Sequence, residues 1–245
     1  MTTAWEGVWA RRSVDEAAPT TLTGMMRADG LDTGFGSVSE ANWRAGVRRV
    51  ADELHLAAGD SVYEVGCGAG AFLYELYEHG VRVAGLDRSE ALVQCARRML
   101  PGGCFTVGDA AELDVLDPVD AVVSFGVFMY FPSLGYARGV IERMAGKARR
   151  CVALLDIPDL ERKDAAMAAR VELAGGAAAY AERYAGLEHL YFERSWMAGV
   201  LDACGLVDVQ VVDQWIAGYP NAAYRFNAWG FVPRSARAPG GTGPD

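Results

Sequence analysis

Three acidic residues and one glycine-rich run carry the chemistry that can be read from this sequence. Glu64 stands two residues before Gly66-Cys67-Gly68-Ala69-Gly70, and Asp109 lies in Val107-Gly108-Asp109-Ala110. A glycine-rich turn that opens a helix lets a ligand approach the backbone, and the N–H groups of the helix start favour an anion. The spacing Gly-x-Gly-x-x-Ala also fits a dinucleotide fingerprint, in which an acid about 20 residues on, the position of Asp87, binds ribose hydroxyls. Glu64 and Asp109 argue for another ligand. An acid beside the turn repels a pyrophosphate and welcomes an amino-acid ammonium group, while Asp109 can accept a hydrogen bond from an adenine amino group.

The elements around these residues alternate. Ser37 and Glu40 read as a capping box for a helix in which Trp43, Val47, Val50 and Leu54 recur at helical spacing, closed by Gly59. Ser61 to Val65 reads as a strand running into the glycine loop, Ala71 to His79 as a helix, Val81 to Leu86 as a strand, and Ser89 to Leu100 as a helix with Ser89 as N-cap. Further strands are expected at Cys104 to Val107, Asp120 to Phe125 and Arg150 to Leu155, with a helix from Pro132 to Ala145. Strands and helices alternating at this spacing predict an α/β fold with a parallel sheet covered on both faces. From Asp159 to Leu187 the pattern changes to an alanine-rich helical stretch broken at Gly175-Gly176. A helix from about Glu193 to Ala203 and strands at Val207 to Val212 and about Ala223 to Val232 follow. The chain thus divides into an extension or lid (1–36), one domain (37–232) with a helical insertion over the active site (157–190), and a tail (233–245) expected to be disordered.

Val62-Tyr63-Glu64-Val65-Gly66-Cys67-Gly68-Ala69-Gly70, then Gly85-Leu86-Asp87-Arg88-Ser89, then Gly108-Asp109-Ala110 closely resemble the S-adenosylmethionine (SAM) motifs of the class I, Rossmann-like methyltransferases of small-molecule type. The resemblance runs from roughly Ser37 to Val232. It implies a three-layer fold with a seven-stranded, mostly parallel sheet whose last strand is antiparallel. It also implies SAM as cofactor and S-adenosylhomocysteine (SAH) as product. By the same resemblance Gly66 and Gly68 face the methionine part, Cys67 between them belongs to the cofactor-binding set, Asp87 binds ribose, Arg88 flanks adenine, Asp109 and Ala110 meet the adenine edge, and Glu64 fixes the loop. Phe125 and Trp43 complete the expected cofactor set.

The fourth strand ends in Ser124-Phe125-Gly126-Val127 and lacks the Asn/Asp-Pro-Pro-aromatic motif of enzymes that methylate nucleic-acid amino groups. The paired-glutamate loop of protein arginine methyltransferases is missing too. Asp156 alone supplies an acid at the ends of the fourth and fifth strands, too few oxygen ligands for a magnesium site, so no metal is expected.

An acceptor would sit outside the carboxyl ends of the strands. Met129, Tyr130, Tyr219 and Arg225 are the expected acceptor-binding residues. Arg225 has two readings, a partner for an acidic acceptor or a partner for Asp213. Methyl transfer needs an aligned approach and exclusion of water, and a general base only where the acceptor must lose a proton. His189 is the first candidate for that base because histidine titrates near neutral pH. Tyr191, as a polarising hydroxyl, and Asp156 are the other catalytic candidates.

The 245 residues carry a net charge of −9, which weighs against a nucleic-acid partner, and 51% are hydrophobic, enough to bury a core. No apolar run has the length of a membrane span, and no signal-like stretch opens the chain, so a cytoplasmic location is expected. Five scattered cysteines, none in a C-x-x-C pair, read as free thiols. The arginine- and alanine-rich, lysine-poor composition is a habit of GC-rich genomes and suggests secondary metabolism. The sequence leaves a monomer or a homodimer open. Two other classes stand beside the methyltransferase reading: a SAM-binding protein without methyl transfer, and an NAD-dependent oxidoreductase, which would need a second catalytic constellation that the sequence does not show.

Overall fold

The structure, a computed structural model, describes Trp5, Val8, Trp9, residues 20–31 and residues 37–233. Helices α1 (Leu22–Ala28) and α2 (Glu40–Glu53) precede an alternating series: β1 (Ser61–Val65), α3 (Ala71–Glu78), β2 (Arg82–Asp87), α4 (Glu90–Met99), β3 (Cys104–Val107), β4 (Val119–Phe125), α5 (Leu134–Lys147) and β5 (Ala148–Pro158). Two consecutive helices, α6 (Lys163–Leu173) and α7 (Ala177–Tyr184), interrupt the series before α8 (Arg194–Ala203), β6 (Val207–Asp213) and β7 (Arg225–Phe231).

The seven strands form one sheet in the order β3-β2-β1-β4-β5-β7-β6. Neighbours from β3 to β5 are parallel, and β7 is antiparallel to both β5 and β6. This is the sheet expected from the sequence. The strand order reverses between β1 and β4, and that reversal opens a crevice at the carboxyl ends of the strands.

Apolar residues on both faces of the central strands explain the three layers. Ala121, Val122 and Val123 of β4 and Cys151 to Leu155 of β5 are all buried, the continuous pattern of strands covered on both sides. On one face they meet Trp43, Val47 and Val50 of α2, Leu73 and Leu76 of α3, and Val93 and Ala96 of α4. On the other they meet Val140, Ile141 and Met144 of α5 and Met197, Val200 and Leu201 of α8.

Several boundaries differ from the sequence reading. Ser39, not Ser37, caps α2, accepting a hydrogen bond from the Asn42 amide at 3.2 Å. The Ser39 to Asn42 spacing is the one an N-cap needs. Glu40 is the first helical residue and pairs with Arg44 at 3.0 Å, so there is no capping box here. Strand β2 ends one residue later than expected, with Asp87 as its final residue. Strand β5 extends to Pro158, into the region assigned to the insertion, because β7 pairs with it as far as the Pro158–Arg225 register. That pairing shifts between Leu154 and Ile157, and Asp156 inside the shift has φ of 60°, an uncommon conformation for a residue with a side chain. Strand β7 starts only at Arg225, after a short 3₁₀ turn over Ala222–Tyr224. The tail expected to be disordered, apart from Pro233, and most of the N-terminal extension lie outside the described residues.

Candidate active site

A cleft of about 1120 Å³ crosses the carboxyl ends of β1, β2, β4 and β5. Binding pockets for a single small ligand run to about 1,000 Å³, so this one has room for a cofactor and a second molecule.

One end is built by the loop after β1. Gly66 has φ of 76° and a side chain on it would collide with Val127. Gly68 has φ of 51° and any side chain there would strike the Asp29 carboxylate. Both positions therefore need glycine. The Asp29 carboxylate, from the loop after α1, accepts hydrogen bonds from the amides of Ala69 at 2.6 Å and Ala71 at 3.1 Å. The anion expected at this helix start is thus supplied in part by the chain itself. Sequence reasoning missed Asp29, since nothing in its neighbourhood ties it to a loop some 40 positions on.

Asp87 accepts from the Gly68 amide at 3.0 Å and from the Ser89 amide at 2.8 Å. An ionised carboxylate offers about four lone-pair sites, so it can still receive two hydroxyls. Glu64 is 2% exposed, and its Oε2 has no hydrogen-bond partner. Burial, with Asp29 and Asp87 adding like charge, pushes its carboxyl well above the usual range. Three acids therefore converge on one end of the cleft, and one of them has a buried oxygen without a donor. A cationic amine placed there would supply the donor and the charge. The residues present fit a ligand with an ammonium group at the glycine loop and vicinal hydroxyls at Asp87.

Beyond β3 the arrangement is more occupied than expected. Asp109 pairs with Arg88 at 2.8 Å, accepts from the Ala111 amide at 2.7 Å, and accepts from the Tyr136 hydroxyl. Both of its oxygens are engaged before any adenine arrives, and Arg88 is drawn to Asp109. Ala110 is buried beside them, and all three line the cleft. Cys67 is buried in the loop, and its thiol is pushed up by burial, so it packs there as a neutral side chain. Trp43 donates its indole N–H to the Ala71 carbonyl at 3.1 Å and meets the Phe125 ring edge-on at 5.0 Å, forming the cleft floor.

The other end is aromatic. Tyr130 lies 4.8 Å from Trp5, 5.2 Å from Trp9 and 5.5 Å from His189 between ring centroids, with Met129 buried behind it. The Trp5 indole donates to the Glu188 carbonyl at 3.1 Å. Helices α6 and α7 contribute Arg170, Leu173, Tyr180 and Tyr184 to the same wall.

The three catalytic candidates have different surroundings. His189 does line the cleft, but Arg170 approaches its Nδ1 at 2.8 Å, so Nδ1 is the acceptor and Nε2 carries the proton. Burial, then the charges of Arg170 and Arg225, pushes its pKa down to about 2. An imidazole so held presents its Nε2–H to the cleft as a hydrogen-bond donor. Tyr191 is not among the lining residues. The adjacent Phe192 is clamped to β5 through its amide to the Pro158 carbonyl at 2.9 Å, and Tyr191 instead meets Lys163. Asp156 lines the cleft at 2% exposure, with Oδ2 accepting from the Tyr219 hydroxyl at 2.9 Å and Oδ1 from Gln214 at 3.3 Å. Burial and Asp156 push the Tyr219 phenol well above its ordinary value, so it stays protonated. Among the described residues no group of three or more His, Cys, Asp or Glu could hold a metal ion, and no helix is long and apolar enough to cross a membrane.

Residues 62–150 match a family model described as a methyltransferase domain. Among solved structures the chain is similar to magnesium protoporphyrin IX methyltransferase from Synechocystis with bound SAH, at 18% identity and a TM-score of 0.57, covering 85% of this chain and 98% of that one. It is also similar to an N-methyltransferase from Bradyrhizobium japonicum in complex with SAH, at 16% identity and a TM-score of 0.63, covering 94% and 99%. An amino pentose methyltransferase from Micromonospora echinaspora, involved in calicheamicin biosynthesis, matches at 18% identity and a TM-score of 0.59, covering 78% and 92%. No curated protein sequence matches the chain. At these identities the likeness shows the fold.

Proposed function

We propose that this protein binds SAM across the loops after β1, β2 and β3 and catalyses methyl transfer to a small-molecule acceptor seated among Tyr130, His189, Tyr219 and Arg225. The observation that carries this reading is the buried, unpartnered Glu64 oxygen in a cleft that continues into the aromatic chamber. SAM supplies an electrophilic methyl group on a sulfonium sulfur, which keeps the bonding electron pair as the acceptor's lone pair takes the methyl carbon.

The chain's own residues bind, orient and exclude water. Glu64 and the glycine loop hold the amino-acid end, Asp87 holds the ribose, and Arg88, Asp109 and Ala110 bound the adenine. Trp43 and Phe125 close the floor between cofactor and acceptor. Trp5, Trp9 and the α6–α7 pair cover the chamber as a lid, the desolvation that a displacement on a cationic donor favours. With His189 neutral and Tyr219 protonated, the reading is transfer by positioning, with no general base from either side chain. A metal-independent displacement is supported by Asp156, whose oxygens are both taken by neighbouring side chains. The free cysteines suit a reducing, cytoplasmic compartment. The likeness to an enzyme of calicheamicin biosynthesis agrees with an acceptor from secondary metabolism.

Isothermal titration with SAM, SAH and NAD in parallel tests the reading. Micromolar binding of the first two and none of NAD is expected. Binding of NAD alone, or of none of the three, overturns it. SAM binding with no methyl release toward any acceptor in a broad screen would favour a SAM-binding protein without transfer.

A further inference from the structure

Arg225 is the unusual side chain of the acceptor chamber. It opens β7 opposite Pro158, is 4% exposed, and lines the cleft. Its Nη1 is buried with no hydrogen-bond partner, and no ion pair engages it among the described residues. Three acids of the surrounding strands and loops are committed elsewhere. Asp213, the partner open from the sequence, is held by Arg162 at 2.9 Å and by Arg194 at 2.5 Å. Asp159 is held by Arg194 at 2.8 Å. Asp156 spends its oxygens on Tyr219 and Gln214. A buried guanidinium without a partner is costly to a fold, and a planar carboxylate is the group its fork matches.

The surroundings specify the rest of the ligand. Tyr130 and Trp9 present rings to the chamber, and Leu173 and Leu187 add aliphatic surface. Flat, apolar walls suit an aromatic or conjugated body. Arg170, the other arginine in this wall that is not exposed, is turned onto His189 Nδ1, and it and Arg225 leave the region positively charged. One guanidinium with an open donor matches a monoanion better than a phosphate dianion.

We propose that the acceptor is a carboxylate-bearing aromatic small molecule whose carboxylate is received by Arg225 while its ring lies against Tyr130 and Trp9. This rests on the methyltransferase reading for the word acceptor, but the binding site stands on its own residues.

The test uses aromatic carboxylates graded from one fused ring to three, each paired with its primary amide, titrated by tryptophan fluorescence with and without SAH. At least one carboxylate is expected to bind about tenfold or more tightly than its amide. Arg225→Met should erase that preference while SAH affinity stays within about twofold, since charged contacts to a ligand act locally. Arg225→Lys, which keeps the charge but not the fork, should recover part of it. Equal binding of every carboxylate and its amide, or no binding by any of them, overturns the proposal. So does a preference that survives in Arg225→Met. If Arg225→Met fails to fold, the wild-type comparison of carboxylate with amide decides alone. Failure of SAH to bind, with the carboxylate preference intact, would sink the methyltransferase reading and leave the carboxylate site standing.

Discussion

The Asp29 carboxylate accepts a hydrogen bond from the Ala69 amide at 2.6 Å, joining the loop after α1 to the loop that opens α3. Its second oxygen takes the Ala71 amide, so one side chain satisfies two donors at a helix start. The segment that follows α1 is thereby pinned at the point where the cofactor's amino-acid end would sit. Asp29→Ala should lower stability by about 1 kcal/mol, the usual worth of a cap, and should weaken SAH binding as the loop loosens. Asp29→Asn, which keeps one acceptor but turns an NH2 toward the second amide donor, should recover only part of the stability. Thermal melts and SAH titrations of the three proteins check this, and an unchanged melt for Asp29→Ala would remove Asp29 from the account.

Glu64 should make binding of the proposed cofactor sensitive to pH. Its carboxyl is raised well above 4.5 without ligand, and an ammonium beside it favours the charged form. Binding therefore releases a proton, and affinity for SAH should rise with pH until Glu64 of the free protein is ionised. For folding the sign is opposite. The folded state holds the proton more tightly than the unfolded one, so this contribution is full below 4.5 and is lost as pH rises through the raised value. Glu64→Gln should abolish the proton release, read as the dependence of titration enthalpy on buffer ionisation heat. Equal proton release in wild type and Glu64→Gln would assign it to another group.

How much of this was legible follows from how local each signal is. The glycine loop, Glu64 and Asp87 lie within single βα units, so their spacing along the chain gave their place in the sheet. Arg170 of α6 and Asp29 of the loop after α1 reach the cleft from segments with no motif, and their roles exist only after those segments pack. The pairing of Asp109 with Tyr136 spans two elements in the same way. His189 lines the cleft, and the arginines that lower its pKa come from α6 and β7, out of reach of its local sequence. Tyr191 is not among the lining residues, and the bridge of Phe192 to Asp159 beside it is a contact between distant segments.

The reading of His189 has a direct check. With its pKa pushed from 6.5 to about 2, the ring should remain neutral throughout the physiological range. Its stabilising contribution is present above 6.5 and is lost as pH falls toward 2, because the unfolded chain takes up the proton first. The His189 resonances, assigned by their loss in His189→Asn, should not shift between about pH 5 and 8. His189→Asn should also leave the pH profile of turnover unaltered in shape. A resonance that titrates near 6.5, or a rate limb that vanishes with the substitution, would restore His189 as a base.

Tyr219 and Asp156 form the last testable pair. The Asp156 carboxylate sits in a strained backbone position with φ of 60° and depends on the Tyr219 hydroxyl for one of its two side-chain donors. Tyr219→Phe removes that donor and leaves a buried acceptor unsatisfied, which should cost about 1–3 kcal/mol of stability. The bared carboxylate also becomes available to Arg225. The preference of the chamber for an aromatic carboxylate over its amide should therefore shrink in Tyr219→Phe, although Tyr219 carries no charge itself. Urea unfolding and the paired probe titrations measure the two effects separately. A loss of stability with the carboxylate preference intact would show that Asp156 stays turned away from Arg225, and that the guanidinium keeps its open donor by distance alone.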